Sequence, residues 1–303
     1  MSGLLVLVGP TAVGKTALAL ALARRFGAEV VNADSVQVYR GLDIGSAKPT
    51  PAERAQVPHH LVDVADPQED MSAARFAGLA DEAIADIQAR GRRVLLTGGT
   101  GLYVKALLWG LAPAPPVDEA LRQQLRRQWE EQGPAALHAR LAALDPASAQ
   151  RLPANDRQRV LRALEVCLQT GEPFSRRLAS HGFSRARYPH LLLGLERPRP
   201  ELNQRIEERC RQMWREGLLE EVAGLLAAGV SPQARGLQSL GYRQALGVVR
   251  DRLTPQAALQ EMTQKTRAYA KRQMTWFRGL EGINWCPADD LEALTALVRP
   301  FWP

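Results

Sequence analysis

Leu4-Leu5-Val6-Leu7-Val8 runs directly into Gly9-Pro10-Thr11-Ala12-Val13-Gly14-Lys15-Thr16, and that into Ala17-Leu18-Ala19-Leu20-Ala21-Leu22-Ala23. The three pieces read as a buried strand, a G-x-x-x-x-G-K-[ST] phosphate loop and a helix, so both the motif and its context are present. Gly9 and Gly14 let backbone N–H groups turn inward around a di- or triphosphate, with Pro10, Thr11, Ala12 and Val13 forming the rest of the cradle. The positive end of the helix adds to the field, Lys15 reaches the outer phosphates, and the Thr16 hydroxyl is placed to ligate Mg²⁺.

Outward from this segment, short apolar runs alternate with helical stretches, as a parallel sheet requires. Residues 29–34 (Glu29-Val30-Val31-Asn32-Ala33-Asp34) predict a second strand ending on an acid, residues 72–90 a helix starting at Ser72, and residues 93–97 a third strand entering Gly98-Gly99-Thr100-Gly101. Chemistry in such folds gathers at strand C-termini, which places Asp34, Thr97 and Thr100 near the phosphate loop. Pro113-Ala114-Pro115-Pro116 then breaks the rhythm, and the chain is helical in pattern to about residue 183. His190-Leu191-Leu192-Leu193-Gly194-Leu195 resembles a returning core strand. The predicted class is α/β: a P-loop NTPase-like parallel-sheet core (1–113 and 184–303) with an inserted all-helical domain (114–183).

Lys and Arg outnumber Asp and Glu by 39 to 32, and the pI near 9.7 suits a polyanionic partner such as nucleic acid. Arginine-rich composition alone carries little weight, so distribution matters more. Residues 151–187 hold eight Arg against Asp156, Glu165 and Glu172. On a helix over 261–278, Arg267, Lys271 and Arg278 share one stripe while Tyr269, Arg272 and Trp276 share another. Residues 151–187 read as a basic arm, and phosphate contacts with base stacking would use a helix such as 261–278; for either segment alone, a solvated basic face over packed aromatics is the equal alternative. Cys167, Cys210 and Cys286 are far apart and match neither a disulfide framework nor a zinc site, which fits a reducing cytoplasm. Apolar stretches broken by Lys15 and Arg24 fall short of a membrane span, and the N-terminus has no basic leader region, so a soluble, cytoplasmic protein is expected.

A phosphate-loop kinase or ATPase has a strand-end Asp that helps hold Mg²⁺, whereas the strand at 93–97 runs into Thr97-Gly98-Gly99-Thr100. Asp34 is the early strand-end acid, followed by Ser35, Val36 and Gln37. Its carboxylate is a candidate to receive a nucleophile's proton, with a helix cap or an Mg²⁺ ligand as the other readings. Gln37 is a candidate reader of an adenine edge, because carboxamides pair with adenine in other settings. His59 and His60 have no third ligand at metal spacing and read as structural.

The ordered series Gly9–Thr16, Asp34–Tyr39, Ile44–Pro49, Pro58–Asp63, Gly98–Tyr103, Asn155–Arg159 with Arg162–Glu165, Gly241–Gln244 and Lys271–Arg278 resembles the tRNA dimethylallyltransferases over about residues 3–280. Ser46 stands where that family often has Thr, and Gln238-Ser239-Leu240 falls where members vary. The resemblance implies transfer of a dimethylallyl group from dimethylallyl diphosphate to the exocyclic amine of the adenosine 3′-adjacent to a tRNA anticodon, with Mg²⁺ assisting and pyrophosphate leaving. Asp34 would be the base, Thr100 would orient the amine and Lys15 would face the leaving group. Arg205 and Arg209 are candidates to hold pyrophosphate from the far side. The resemblance places the tRNA anticodon stem-loop against Asp34, Ser35, Val36, Gln37, Thr100, Arg122, Gln158, Arg159, Val160, Leu161, Arg162, Gln238, Ser239, Leu240, Gly241, Tyr242 and Arg243, and a monomer is expected. An isopentenyltransferase of free adenine nucleotides, a P-loop kinase and a non-catalytic RNA-binding module are the competing readings.

Overall fold

The structure is a computed structural model describing residues 3–182 and 185–303. Among these the chain runs β1 (Leu4–Val8), α1 (Lys15–Phe26), β2 (Ala28–Asn32), α2 (Pro51–Gln56), β3 (His59–His60), α3 (Ala73–Ala89), β4 (Arg93–Gly98) and α4 (Gly101–Trp109). Next come α5 (Glu119–Leu144), α6 (Pro146–Arg151), α7 (Arg157–Thr170) and α8 (Phe174–His181). The remaining elements are β5 (His190–Glu196), α9 (Arg199–Arg215), α10 (Leu218–Ala227), α11 (Tyr242–Val249), α12 (Pro255–Arg278), β6 (Asn284–Pro287) and α13 (Leu291–Val298).

The strands form one sheet in the order β3-β2-β4-β1-β5-β6, with every pairing parallel. All five residues of β1 and all five of β2 are buried, the pattern of parallel strands covered on both faces. Register brings Val8 of β1 beside Gly98 of β4 and Gly194 of β5, so the phosphate loop leaves the sheet between two strand ends. The second strand is shorter than its sequence suggests. It ends at Asn32, and Asp34 lies in the turn beyond, because Ala33 N–H bonds Thr97 O at 2.7 Å while Ala33 O accepts from Thr100 N at 3.1 Å. That cross-connection needs Gly98, where a Cβ would sit 2.1 Å from Ala33 O.

Local chemistry fixes the helix starts. Ser72 caps α3 through Arg75 N, and Thr50 with Glu53 forms a capping box on α2. At the base of the sheet, Glu29 is buried between the Arg90 guanidinium and His60, and the Arg90 hydrogen bonds, helped by His60 and opposed by burial, pull its carboxyl down to about 2. Trp302 is also buried; its indole N–H donates to Gly3 O at 3.0 Å and the Arg93 guanidinium lies over its ring.

Two compact units emerge: Met1–Leu108 with Arg187–Pro303, holding the sheet, and Trp109–Ala186, holding α5 to α8. The boundary read at 183/184 falls on Phe183 and Ser184, outside the described residues. The helical unit has its own apolar core, with Leu125, Leu137, Leu141, Val160, Ala163 and Leu164 at its centre. Gly133, at φ 82, breaks α5 just before Pro134, which cannot donate to the preceding turn. Asp145 is fully buried where α5 meets α6, and its carboxylate accepts from Ser148 N, Ser175 N and Ser175 Oγ, tying three helix ends together. No helix among the described residues is long and apolar enough to cross a membrane.

Candidate functional site

A cavity of about 690 Å³ opens in the sheet unit at the C-terminal ends of β1, β2 and β4, the place where doubly wound sheets bind ligands. Thr11, Ala12, Gly14, Lys15 and Thr16 form its floor. Gly14 at φ 114 is the turn into α1, a conformation that a side chain would strain. Gly9, Pro10 and Val13 lie behind the floor and act through their carbonyls. Lys15 Nζ donates to Gly9 O at 3.0 Å and Pro10 O at 2.8 Å, and Arg197 Nε braces Val13 O at 2.8 Å. Desolvation, with Arg209 adding repulsion and Asp34 opposing, brings the Lys15 ammonium down to about 7.

From α9, Arg205 Nε reaches Ala12 O at 2.9 Å, and Arg209 contacts Ser46 O at 3.4 Å. Both line the cavity with Lys15, and burial lowers the Arg209 guanidinium from its ordinary value while Asp34 pulls it back. Three basic side chains therefore share the lining of one cavity.

In the same lining, Asp34 Oδ1 accepts from Val36 N at 2.9 Å and Gln37 N at 3.3 Å, which fixes the carboxylate in a tight turn. Its other oxygen takes no hydrogen bond among the described residues. Thr100 Oγ1 accepts from Ser35 N at 3.0 Å and donates to Ser35 Oγ at 3.2 Å, binding this turn to the end of β4. Thr97 lies below; its hydroxyl is spent on Leu7 O. Gln37 is nearly buried, and its Nε2 donates to Ser46 O and Ala47 O, each at 3.0 Å. A bidentate grip on adenine through both ends of the amide is thereby excluded in this arrangement, and Oε1 alone is left to face a base.

The sequence marks Tyr269 as a candidate for base stacking but gives Gln273 no role at the site. Gln273 Oε1 accepts from Thr11 N and its Nε2 donates to Gly99 O, both at 2.8 Å, so one buried side chain joins the phosphate loop to the loop after β4. Tyr269, four residues earlier on the same face of α12, contacts Gln273 and Thr100, and burial pushes its phenol up to about 12. Arg272 lies over the Tyr269 ring and is not free to stack alone. The signal for both residues was there, since 269, 273 and 276 share a helical stripe, but the stripe does not say what it faces.

The residues expected at an RNA surface divide. In the helical unit, Gln158 and Arg159 are exposed and Leu161 and Arg162 are half-buried, but Val160 is fully buried in the apolar core and is a packing residue. Arg122 and Arg162 both pair with Glu165, whose side chain is only 3% exposed, and Arg159 pairs with Asp156. In the sheet unit, Ser239 and Leu240 line the cavity and Gln238 and Arg243 are exposed. Gly241 and Tyr242 are buried; the Tyr242 ring packs on Gly45 and its hydroxyl donates to Glu221, so Tyr242 presents nothing to a ligand. His59 and His60 bond Val57 O and Glu29.

The family model described as IPP transferase matches residues 37–280. A tRNA dimethylallyltransferase of Anaeromyxobacter sp. (strain Fw109-5) is 52% identical over 96% of this chain and 98% of its own length. Another, of Geobacter sulfurreducens, is 47% identical over 99% and 96%. Among solved structures, the tRNA isopentenylpyrophosphate transferase of Staphylococcus epidermidis superposes with a TM-score of 0.72 at 35% identity, covering 99% of both chains. A eukaryotic dimethylallyltransferase described as acting on tRNA gives 0.82 at 28% identity over 98% of this chain and 78% of its own.

Proposed function

This chain belongs to the IPP transferase family, and on that premise we propose that it moves the dimethylallyl group of dimethylallyl diphosphate onto the exocyclic amine of the adenosine 3′-adjacent to a tRNA anticodon. The observation that carries this reading is the cavity's polarity. Lys15, Arg205 and Arg209 line the cavity together, and the Asp34 carboxylate in the same lining stands close enough to act electrostatically on both Lys15 and Arg209.

In this mechanism the amine nitrogen bonds to the first carbon of the allyl group as the carbon–oxygen bond to the diphosphate breaks, and pyrophosphate departs. Negative charge grows on the leaving oxygens, where the loop N–H groups, Lys15 and Arg209 stabilise it. An adenine amine is a poor nucleophile whose lone pair is delocalised into the ring. Asp34 therefore accepts its proton, and Thr100, held by Ser35, orients the nitrogen. Adenine stacked in an anticodon loop has to be flipped out to enter, at a cost of a few kcal/mol, and Ser239, Leu240 and Tyr269 line the space that would receive it.

The donor set suits Mg²⁺. Thr16 offers an exposed hydroxyl beside the phosphate cradle, and Mg²⁺ is commonly held by few protein oxygens together with substrate phosphates and water, which leaves Asp34 free as the base. When bound there it would neutralise charge on the diphosphate. The protein acts as a monomer in this reading.

Purified protein given Mg²⁺, dimethylallyl diphosphate and an anticodon stem-loop should release pyrophosphate and add one five-carbon unit to adenosine, seen by mass spectrometry of the digested nucleosides. Release of phosphate from ATP without a prenylated nucleoside would restore the kinase reading. Equal turnover of free AMP would move the substrate to the nucleotide pool.

A further inference from the structure

Gly45, Ser46 and Ala47 line the cavity, and the turn over residues 43–48 that carries them is held from outside it. The segment is a tight turn: Ala47 N–H bonds Ile44 O, Lys48 N–H bonds Asp43 O, and Ser46 Oγ donates to Leu42 O. Its outer side wraps one carboxylate. Glu221, from α10, accepts Asp43 N at 3.0 Å and Ile44 N at 2.8 Å on Oε2, and Gly45 N at 3.4 Å and the Tyr242 hydroxyl at 2.5 Å on Oε1. Gly45 permits this approach, since a Cβ there would fall 2.6 Å from the Tyr242 ring. Burial and the Glu221 carboxylate hold the Tyr242 phenol protonated, so it remains a donor.

The inner side of the same turn faces Gln37. Ser46 O and Ala47 O take the Gln37 Nε2 group, and Ala47 reaches that orientation with φ at 48, a left-handed conformation that costs a non-glycine residue energy and is held by its surroundings. A carboxamide can flip by half a turn, and its orientation is set by the partners it is given. Here two carbonyls, fixed from behind by Glu221, admit only the amino end. The cavity is then offered Oε1, an acceptor.

We infer that Glu221, with Tyr242, is a positioning residue for base selectivity: it locks the turn that locks the Gln37 amide, so that the site accepts a purine carrying an amino group and disfavours one carrying an oxo group. This rests on the RNA-modifying function proposed above. An acceptor fixed in place bonds the N6–H of adenine and repels O6 of hypoxanthine, whereas a freely flipping amide accommodates either.

The test compares binding of two anticodon stem-loops, identical except for adenosine or inosine at the target position, to the wild-type protein, Glu221→Gln, Tyr242→Phe and Gln37→Ala. The glutamine substituted at 221 keeps one acceptor oxygen and turns the other into a donor, so either the Asp43 and Ile44 N–H groups or the Gly45 N–H loses its acceptor. The wild type should prefer adenosine about tenfold or more, the size of one well-formed base contact. Glu221→Gln should bring the ratio to within about twofold of unity, with adenosine prenylation slowed, and should change nothing further when Gln37 is already Ala, because residues acting through one another are not additive. Tyr242→Phe, which keeps the carboxylate and the ring, should give an intermediate ratio and covers the case in which Glu221→Gln does not fold. Asp81→Asn, which breaks a remote contact to Arg187 and Tyr188, should leave the ratio unchanged. An unaltered ratio in both Glu221→Gln and Tyr242→Phe, or an additive loss in the Gln37→Ala background, overturns the inference. A wild-type protein that leaves the adenosine stem-loop unprenylated overturns the functional reading and this inference with it.

Discussion

Asp34 and Lys15 make opposite demands on the cavity, and each has its own measurable signature. Replacing Asp34 by Asn keeps an oxygen for the Val36 and Gln37 N–H groups, so the turn survives while the proton acceptor is lost. Single-turnover transfer should fall about 10²-fold or more, the scale of general-base loss, with stem-loop affinity nearly unchanged; rates within tenfold of wild type would remove Asp34 from that role. Lys15, brought down to about 7, is mostly neutral in the free protein at pH 8 and turned back on Gly9 O and Pro10 O. A bound pyrophosphate raises its affinity for a proton, so binding should take up protons above pH 7 and cease to do so well below it. Calorimetry in buffers of different ionisation enthalpy reads this directly, and Lys15→Ala should abolish the buffer dependence.

At the scale of elements, the arginines of α7 are already partnered, which alters how their role is tested. Removing Arg122 and Arg162 together strands Glu165, a buried carboxylate, at a cost of about 3–5 kcal/mol, and a loss of RNA binding would then be indistinguishable from damage to the helical core. Arg159 is exposed and its partner Asp156 partly solvated, so Arg159→Gln is the cleaner change. Salt titration of stem-loop binding should show a log–log slope shallower by about one unit if Arg159 meets a phosphate; an unchanged slope makes α7 a solvated face. The helices and long strands were legible because periodicity, caps and apolar runs coincide there. β3 and β6 were not: the first is two histidines, and the second, Asn284–Pro287, carries one buried side chain and closes on proline, leaving no alternation to read. Motifs reached the phosphate loop and Asp34, which share the cavity lining, and Thr100, which is hydrogen-bonded to Ser35 beside it and is not in that lining. Gln273 and the inward turn of Val160 and Tyr242 depend on which face of a helix meets which neighbour, which a single chain's motifs do not encode.

For the whole molecule, the sheet's order sets a sequence of events. β1, the first strand made, needs β4 on one side and β5 on the other, and the helical unit lies between those two partners in the chain. That unit is contiguous, and its core is drawn from residues 121–174 alone. On a ribosome the insertion is complete, and free to fold, while the strand carrying the phosphate loop still lacks one flank; α9 and α12, which bring Arg209 and Gln273, emerge later still. Local structure forms faster than long-range strand pairing. Pulse-labelled refolding should therefore protect amides of α5 and α7 before those of β1, and simultaneous protection would count against this order. The nascent chain thus completes its helical module before it owns a pocket, so under the function proposed above its earliest encounter with RNA on the translating ribosome is one of binding without chemistry.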